Sequence, residues 1–248
     1  MAGSGRIVKN SLALLIGYSY NAIVSIVAVA LVARYLKLDK FGDYGFILAV
    51  CNIFMVITDM GINRIGIREM ARDPSKANDI FSASFIIKSC YSIITVLLIV
   101  ITMHILIDDI DLLRASYICA IAVVFFFYGD IFPSIFTAFE KMEYITLSMF
   151  VEQTSYLMGI MLCVHFDYGL DGIFTALLVS YLARMLYGFI VTYKHFLKPK
   201  LTYDYSLCRY LVVEGFPIGI NRVLRKTSFR IDTIIIKMLR TASEVGIY

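Results

Sequence analysis

The sequence predicts an all-α polytopic membrane protein. It reads as a six-helix N-terminal bundle plus the first helix of a second bundle, about seven transmembrane helices, with the N-terminus in the cytoplasm. Three observations carry this. The 248 residues are 60% hydrophobic and only 17% charged, with a mean hydropathy of +0.79, whereas soluble domains are about half apolar and a quarter charged. The apolar residues fall in runs of the ~17–25 residues that cross a bilayer. The basic residues collect in alternate connections between those runs.

The expected helices are Ser11–Leu36, Asp43–Met70, Ile80–Ile107, Leu112–Phe139, Tyr144–Phe166, Gly172–Phe196 and Leu207–Leu239. The run after the N-terminus has no small-residue cleavage site, so it reads as a membrane helix and not a signal peptide. The connections are short, which places sequential helices antiparallel and adjacent. At the second one, Pro74 with Asp73 and Ser75 ends one helix and starts the next. On one side, eleven Lys and Arg flank the helices: Arg6, Lys9, Arg64, Arg68, Arg72, Lys76, Lys141, Lys194, Lys198, Lys200 and Arg209. On the other side stand three, Lys37, Lys40 and Arg114. The positive-inside rule assigns the richer side to the cytoplasm.

Residues 1–200 are expected to form the first bundle and 201–248 the first helix of the second. Asn10–Tyr44 and Glu214–Tyr248 share a layout that ends in Gly-x-Tyr, at Gly42/Tyr44 and Gly246/Tyr248, an offset of 204 residues. Transporter folds are often built from such repeats. On this reading the chain is the first part of a longer protein.

A charge at membrane depth costs about 2.5–3.5 kcal/mol and faces a bundle interior or a wet cavity. The cations in such positions are Arg64 and Arg68 (i, i+4), Lys88, Arg184, and on the seventh helix Arg222, Arg225 and Arg230. The acids are Asp59, Asp130, Glu152 and Asp232, as coupling groups or structural ion pairs. The surplus is positive, which suits an anionic cargo such as a phosphate or pyrophosphate headgroup. Each charge also has a structural reading. Arg64 and Arg68 serve equally as interfacial anchors, and Lys88 with Asp130, or Asp59 with Arg64, as packing pairs. Asp109–Ile110–Asp111 reads as a solvated turn.

No nucleophile–base–acid set, phosphate loop or metal-ligand spacing is present, so the sequence points to no enzyme, cofactor or metal site. Nothing in it suggests nucleic-acid binding. The five cysteines are scattered without a CxxC pair, so neither a disulfide framework nor a zinc site is indicated.

Three segments carry a family resemblance: Ala33–Phe46 (ARYLKLDKFGDYGF), Thr58–Asp73 (TDMGINRIGIREMARD) and Phe216–Tyr248. In these the sequence resembles the polysaccharide (O-antigen type) flippases, relatives of the MATE antiporters and lipid II flippases. The resemblance implies twelve to fourteen helices in two bundles around a cavity, and alternating-access export of a polyprenyl-diphosphate glycan across the cytoplasmic membrane. Partners would be the lipid-linked glycan, the bilayer, and the glycosyltransferases and polymerase of the same pathway. It further implies that Arg64, Arg68, Lys88, Arg222, Arg225 and Arg230 line the cavity. Readings that stay open are a cation-coupled multidrug or metabolite antiporter, a membrane-embedded glycosyltransferase or polymerase, and a non-functional truncated fragment.

Overall fold

A computed structural model describes residues 2–55 and 60–221. Every regular element in it is helical: α1 (Ala2–Met55), α2 (Ile62–Arg72), a 3-10 turn (Pro74–Lys76), α3 (Ala77–Leu106), α4 (Ile110–Gly129), α5 (Phe132–Ala138), α6 (Met142–Phe166) and α7 (Gly169–His195). A further helix, α8, covers residues 205–221. Among the described residues five helical stretches are long and apolar enough to cross a bilayer: Gly5–Lys37, Pro74–Leu106, Ile110–Ala138, Met142–Phe166 and Gly169–His195. The protein is therefore an all-α, multi-pass membrane protein.

Three expected boundaries change. The Leu36–Phe41 loop shrinks to one non-helical residue, Lys37 (φ 60°, ψ 175°), so α1 is two helices in series. The single helix expected over Asp43–Met70 is broken ahead of Ile62, where Gly61 takes a left-handed conformation at φ 81°. The backbones of α2 and α8 cross there: a Cβ on Gly215 would lie 2.7 Å from the Met60 carbonyl oxygen, and one on Gly61 would overlap the Gly215 carbonyl. Glycine supplies both the positive φ and the room. The helix expected over Leu112–Phe139 is likewise split, because the chain turns at Asp130–Ile131 and restarts with Pro133 in the first turn of α5, a position where proline's missing N–H costs nothing.

The expected stop at Asp73 holds. Its carboxylate accepts hydrogen bonds from the Ser75 backbone N–H (3.1 Å) and hydroxyl (2.6 Å). Asp109 caps α4 in the same way, accepting from the Asp111 N–H at 2.8 Å, so Asp109–Asp111 is the solvated turn the sequence suggested.

The helix ends gather as the short connections require. At one end, Asn10 donates to the Glu140 carbonyl (3.1 Å), Asn78 to the Lys200 carbonyl (3.1 Å), and Tyr144 stacks on His195. This end carries Arg6, Lys9, Arg72, Lys76, Lys141 and Lys194 and is called the basic end below. At the other end Tyr35 donates to Asp167 (2.8 Å) and accepts from the Gly169 N–H (2.8 Å), and Arg114 Nε donates to Asp171 at 2.6 Å.

The apolar core is divided along the helix axes. One cluster, toward the end opposite the basic one, joins Ala28, Val32, Tyr44, Ile47, Ile99, Met103, Cys119, Phe127, Ile160 and Phe174. A second, toward the basic end, joins Met70, Ile80, Phe81, Ile131, Phe132, Ile135, Phe136, Ile145 and Val191. A third holds Leu211 of α8 against Ile62, Ile65, Ala83 and Ile87. Many lipid-side residues stay exposed, among them Ile26, Ile93, Leu97, Ile101 and Leu162, as expected of a helix surface that faces hydrocarbon.

Candidate functional site: a buried charge layer

Between the two larger apolar clusters, each of four consecutive membrane segments contributes one charge. On α3 Lys88 falls between Phe81 and Ile99. Asp130 falls between Phe127 and Ile131 at the α4–α5 turn, Glu152 between Ile145 and Ile160 on α6, and Arg184 between Phe174 and Val191 on α7. Lys88, Glu152 and Arg184 lie ten or eleven residues from the basic ends of their helices at Ala77, Met142 and His195, which is ~15–17 Å at 1.5 Å per residue. They therefore form one layer near mid-membrane depth.

The layer is closely paired. Lys88 Nζ donates to Asp130 Oδ2 at 3.1 Å. Arg184 Nη1 donates to Glu152 Oε2 at 2.8 Å, and Nη2 lies 3.8 Å from Asp130 Oδ1. The guanidinium also sits over the Phe126 ring, 5.5 Å from its centroid, a favourable cation–π placement. From α2, Asn63 Nδ2 donates to Asp130 Oδ2 at 2.6 Å. Side-chain exposure is 2% for Lys88, 12% for Glu152, 14% for Arg184 and 28% for Asp130, so Asp130 is the member most open to its surroundings. One donor is left over. Arg184 Nε is buried and has no hydrogen-bond partner among the described residues.

Burying four charges is tolerable only because each has an opposite partner within hydrogen-bond range. Two cations face two carboxylates, so the layer is neutral and can rearrange its pairing without changing net charge. Its members come from α3, the α4–α5 turn, α6 and α7, and Asn63 adds α2, so the layer ties these segments to one another at one depth.

The structure thus unites Lys88, Asp130, Glu152 and Arg184. It places Arg64 and Arg68 elsewhere. Arg64 is exposed on α2. Arg68, with 53% of its side chain exposed, pairs with Glu69 (3.0 Å), donates to the Tyr210 hydroxyl (2.8 Å) and lies 3.8 Å from Glu214. These contacts tie α2 to α8 at the surface of the basic end. The buried positive surplus expected from the sequence is absent from the described residues, where the layer balances two against two. Asp59, Arg222, Arg225, Arg230 and Asp232 lie outside the described residues.

Asn63 and Phe126 were not singled out by sequence reasoning. Asn63 carried a signal, since it is an amide one residue before Arg64 on a helix whose other inward positions are Ile62, Ile65, Gly66 and Met70. Phe126 carried none, being one of three consecutive phenylalanines.

The model of the family described as polysaccharide biosynthesis protein matches residues 7–248. The chain belongs to that family. No curated protein sequence matches it. Among solved structures it is similar to a MATE transporter in the straight conformation (TM-score 0.76, 16% identity, covering 97% of this chain and 58% of that one). It is also similar to a MATE transporter in complex with MaD3S (TM-score 0.72, 16% identity, 93% and 56%). A third is a MOP-superfamily transporter from Pyrococcus furiosus, described as having a binding pocket of reverse polarity (TM-score 0.66, 17% identity, 93% and 55%). The chain spans a little more than half the length of these proteins. At such identities the likeness establishes a shared fold with these transporters and nothing further. Within this member of the polysaccharide biosynthesis family, the charge layer crosses the bundle at mid-depth.

Proposed function

We propose that this family member is a transporter, not an enzyme, and that it moves a lipid-linked oligosaccharide, a polyprenyl-diphosphate glycan, across the cytoplasmic membrane by alternating access. The observation that carries this reading is the neutral, fully paired charge layer at mid-membrane depth, in a MOP-type fold and a polysaccharide biosynthesis family. A purely structural bundle gains little from four buried charges, because well-packed apolar residues serve as well or better. In a carrier, re-pairing within the layer changes the relative positions of α2, α3, α6 and α7, the movement alternating access needs. The N-terminus and the basic end face the cytoplasm in this reading, and the diphosphate meets basic groups there. In this reading the expected second bundle, most of whose first helix (Leu207–Leu239) lies outside the described residues, would supply further cavity wall.

The test is a leaflet assay. The protein is reconstituted in vesicles that carry a polyprenyl-diphosphate glycan, and a membrane-impermeant lectin reports glycan reaching the opposite leaflet. A lectin-accessible fraction that grows faster than in protein-free vesicles is expected. Equal rates overturn the assignment.

The neutrality of the layer favours a second reading. Asp130 and Glu152 match Lys88 and Arg184 one for one, and a cation-coupled multidrug or metabolite antiporter would also use such acids. Gradient-driven movement of a cationic dye, with no glycan movement, would select it.

A further inference from the structure

The connection between α7 and α8 is held against the start of α3 by side chains. Asn78 clasps Lys200 on both sides: its Nδ2 donates to the Lys200 carbonyl at 3.1 Å, and its Oδ1 accepts from the Lys200 N–H at 2.9 Å. One turn further along α3 the Ser82 hydroxyl lies 2.5 Å from the same carbonyl oxygen, and Thr202 donates to Asp79 at 3.2 Å. These bonds fix the depth of the connection. The stretch Pro74–Leu106 has 33 residues, about 50 Å of helix at ~1.5 Å per residue, against a hydrocarbon core of ~30 Å. About 10 Å, or roughly six to seven residues, therefore stands in the headgroup region at each end. Asn78 and Ser82 lie at the inner limit of that region and hold Lys200 there.

Past Lys200 the side chains part. Thr202 and Asp204 bond the protein, Thr202 to Asp79 and Asp204 as the cap of α8, accepting from the Ser206 and Leu207 N–H groups at 2.8 and 3.2 Å. Leu201, Tyr203 and Tyr205, which alternate with them, are exposed. A tyrosine ring has an apolar body and a polar tip and favours the membrane–water interface. The charges around these three are Lys194, Lys198, Lys200 and Arg209, all exposed, against the carboxylates of Asp79 and Asp204. Lys76 stands 3.7 Å from Asp73 and adds no net charge. The excess is positive, and basic groups beside an anionic bilayer surface are drawn to it.

We infer that the α7–α8 connection is a membrane-surface anchor for anionic phospholipid. Leu201, Tyr203 and Tyr205 enter the interface, Lys198 and Lys200 meet the lipid phosphates, and the Asn78 clasp sets the depth. The surface is distinct from the charge layer and does not depend on the transport reading.

The chain has no tryptophan, so Tyr203→Trp, and separately Tyr205→Trp, supplies a single indole at an exposed position. Each variant is reconstituted in vesicles of phosphatidylglycerol and phosphatidylcholine in equal amounts, with bromine on the acyl chains of one lipid or the other. Bromine should quench the indole, aqueous acrylamide should quench it little, and brominated phosphatidylglycerol should quench more than brominated phosphatidylcholine. Lys198→Gln with Lys200→Gln leaves Lys194 and Arg209 against Asp79 and Asp204, so it should erase the difference between the lipids. Salt at about 1 M, where the screening length is about 3 Å, should erase it too. Asn78→Ala should raise acrylamide quenching, because Lys200 is no longer held. Equal quenching by the two brominated lipids at low salt, or a difference that survives the double lysine variant, overturns the anionic assignment. Acrylamide quenching without bromine quenching overturns the anchor, and so does protection from both quenchers, which would mean that protein covers the surface. Unchanged quenching in Asn78→Ala overturns the role of the clasp.

Discussion

Arg184 offers the sharpest test of the charge layer. Replacing it with Leu removes the 2.8 Å bond to Glu152 and the weaker 3.8 Å contact to Asp130, and leaves Glu152, only 12% exposed, charged with no cation beside it. Removing one partner of a buried pair typically costs 3–5 kcal/mol, and an unpaired charge at mid-membrane depth about 2.5–3.5 kcal/mol, so about 3 kcal/mol is expected. For a chain of this size that is a fall of roughly 6–12 °C in melting temperature. Replacing both partners, Arg184→Leu with Glu152→Leu, should recover most of the loss, to within about 1 kcal/mol of the parent, because no charge is then stranded. The assay suits this sequence. It has no tryptophan, but Cys51, Cys119 and Cys163 are free and buried, so a thiol-reactive fluorophore reports unfolding in detergent. The double variant should be stable yet inactive in the leaflet assay. A double variant as unstable as Arg184→Leu, or a single variant as stable as the parent, would refute the idea that the layer's cost is set by pairing.

Asn63 gives a second test: Asn63→Ala should cost about 1.5–3 kcal/mol, the range for a hydrogen bond to a charged group. Asn63→Asp should cost more in the same melting assay, since it sets a second carboxylate against Asp130 where Nδ2 now lies at 2.6 Å. Gly61→Ala combines a positive φ with overlap on the Gly215 carbonyl, and should lower stability by about 1–3 kcal/mol, read as a melting shift. Asp73 lies outside the membrane spans. The Ser75 hydroxyl foremost, with its backbone N–H and Lys76, holds its carboxyl below the usual carboxylate range against an opposing desolvation effect. A carboxyl whose pKa is lowered by folding contributes stability above its unfolded value, about 3.9, and loses it as pH falls through the lower folded value. Hydrogen exchange at residues 75–78 should therefore quicken as pH falls below about 4, once corrected for intrinsic rates, and Asp73→Asn should remove most of that dependence.

Membrane character and the antiparallel order of neighbouring helices were legible in the sequence because each rests on a local quantity: apolar run length or loop length. The cap at Asp73 was legible for the same reason, a side chain bonding a backbone group two residues on, whereas Asp109 was read only as part of a solvated turn and its capping of α4 came from the structure. The break after Leu36 was legible too, and only its tightness, one residue at Lys37, was not. The break at Gly61 was not: Gly61 stands in a run that propensity tolerates as helix, and what breaks the run is the crossing of Gly215 and Gly219, some 150 residues on.

The candidate site divides the same way. Composition named Lys88, Asp130, Glu152 and Arg184 as charges out of place in lipid, which is a statement about solvation and needs no fold. Which charge meets which was beyond it. Arg184 is 32 residues from Glu152 and Lys88 is 42 from Asp130, separations bridged only when four helices pack. Arg64 and Arg68 looked like members of the same set and are surface groups at the basic end, because α2 turns its apolar face of Ile62, Ile65, Gly66 and Met70 inward. The sequence by itself determined that these charges must be buried in pairs or exposed, since hydrocarbon offers no third choice. Only the tertiary structure decided the pairing, because Coulombic attraction in a low-dielectric layer depends on distances of a few ångströms that no periodicity encodes.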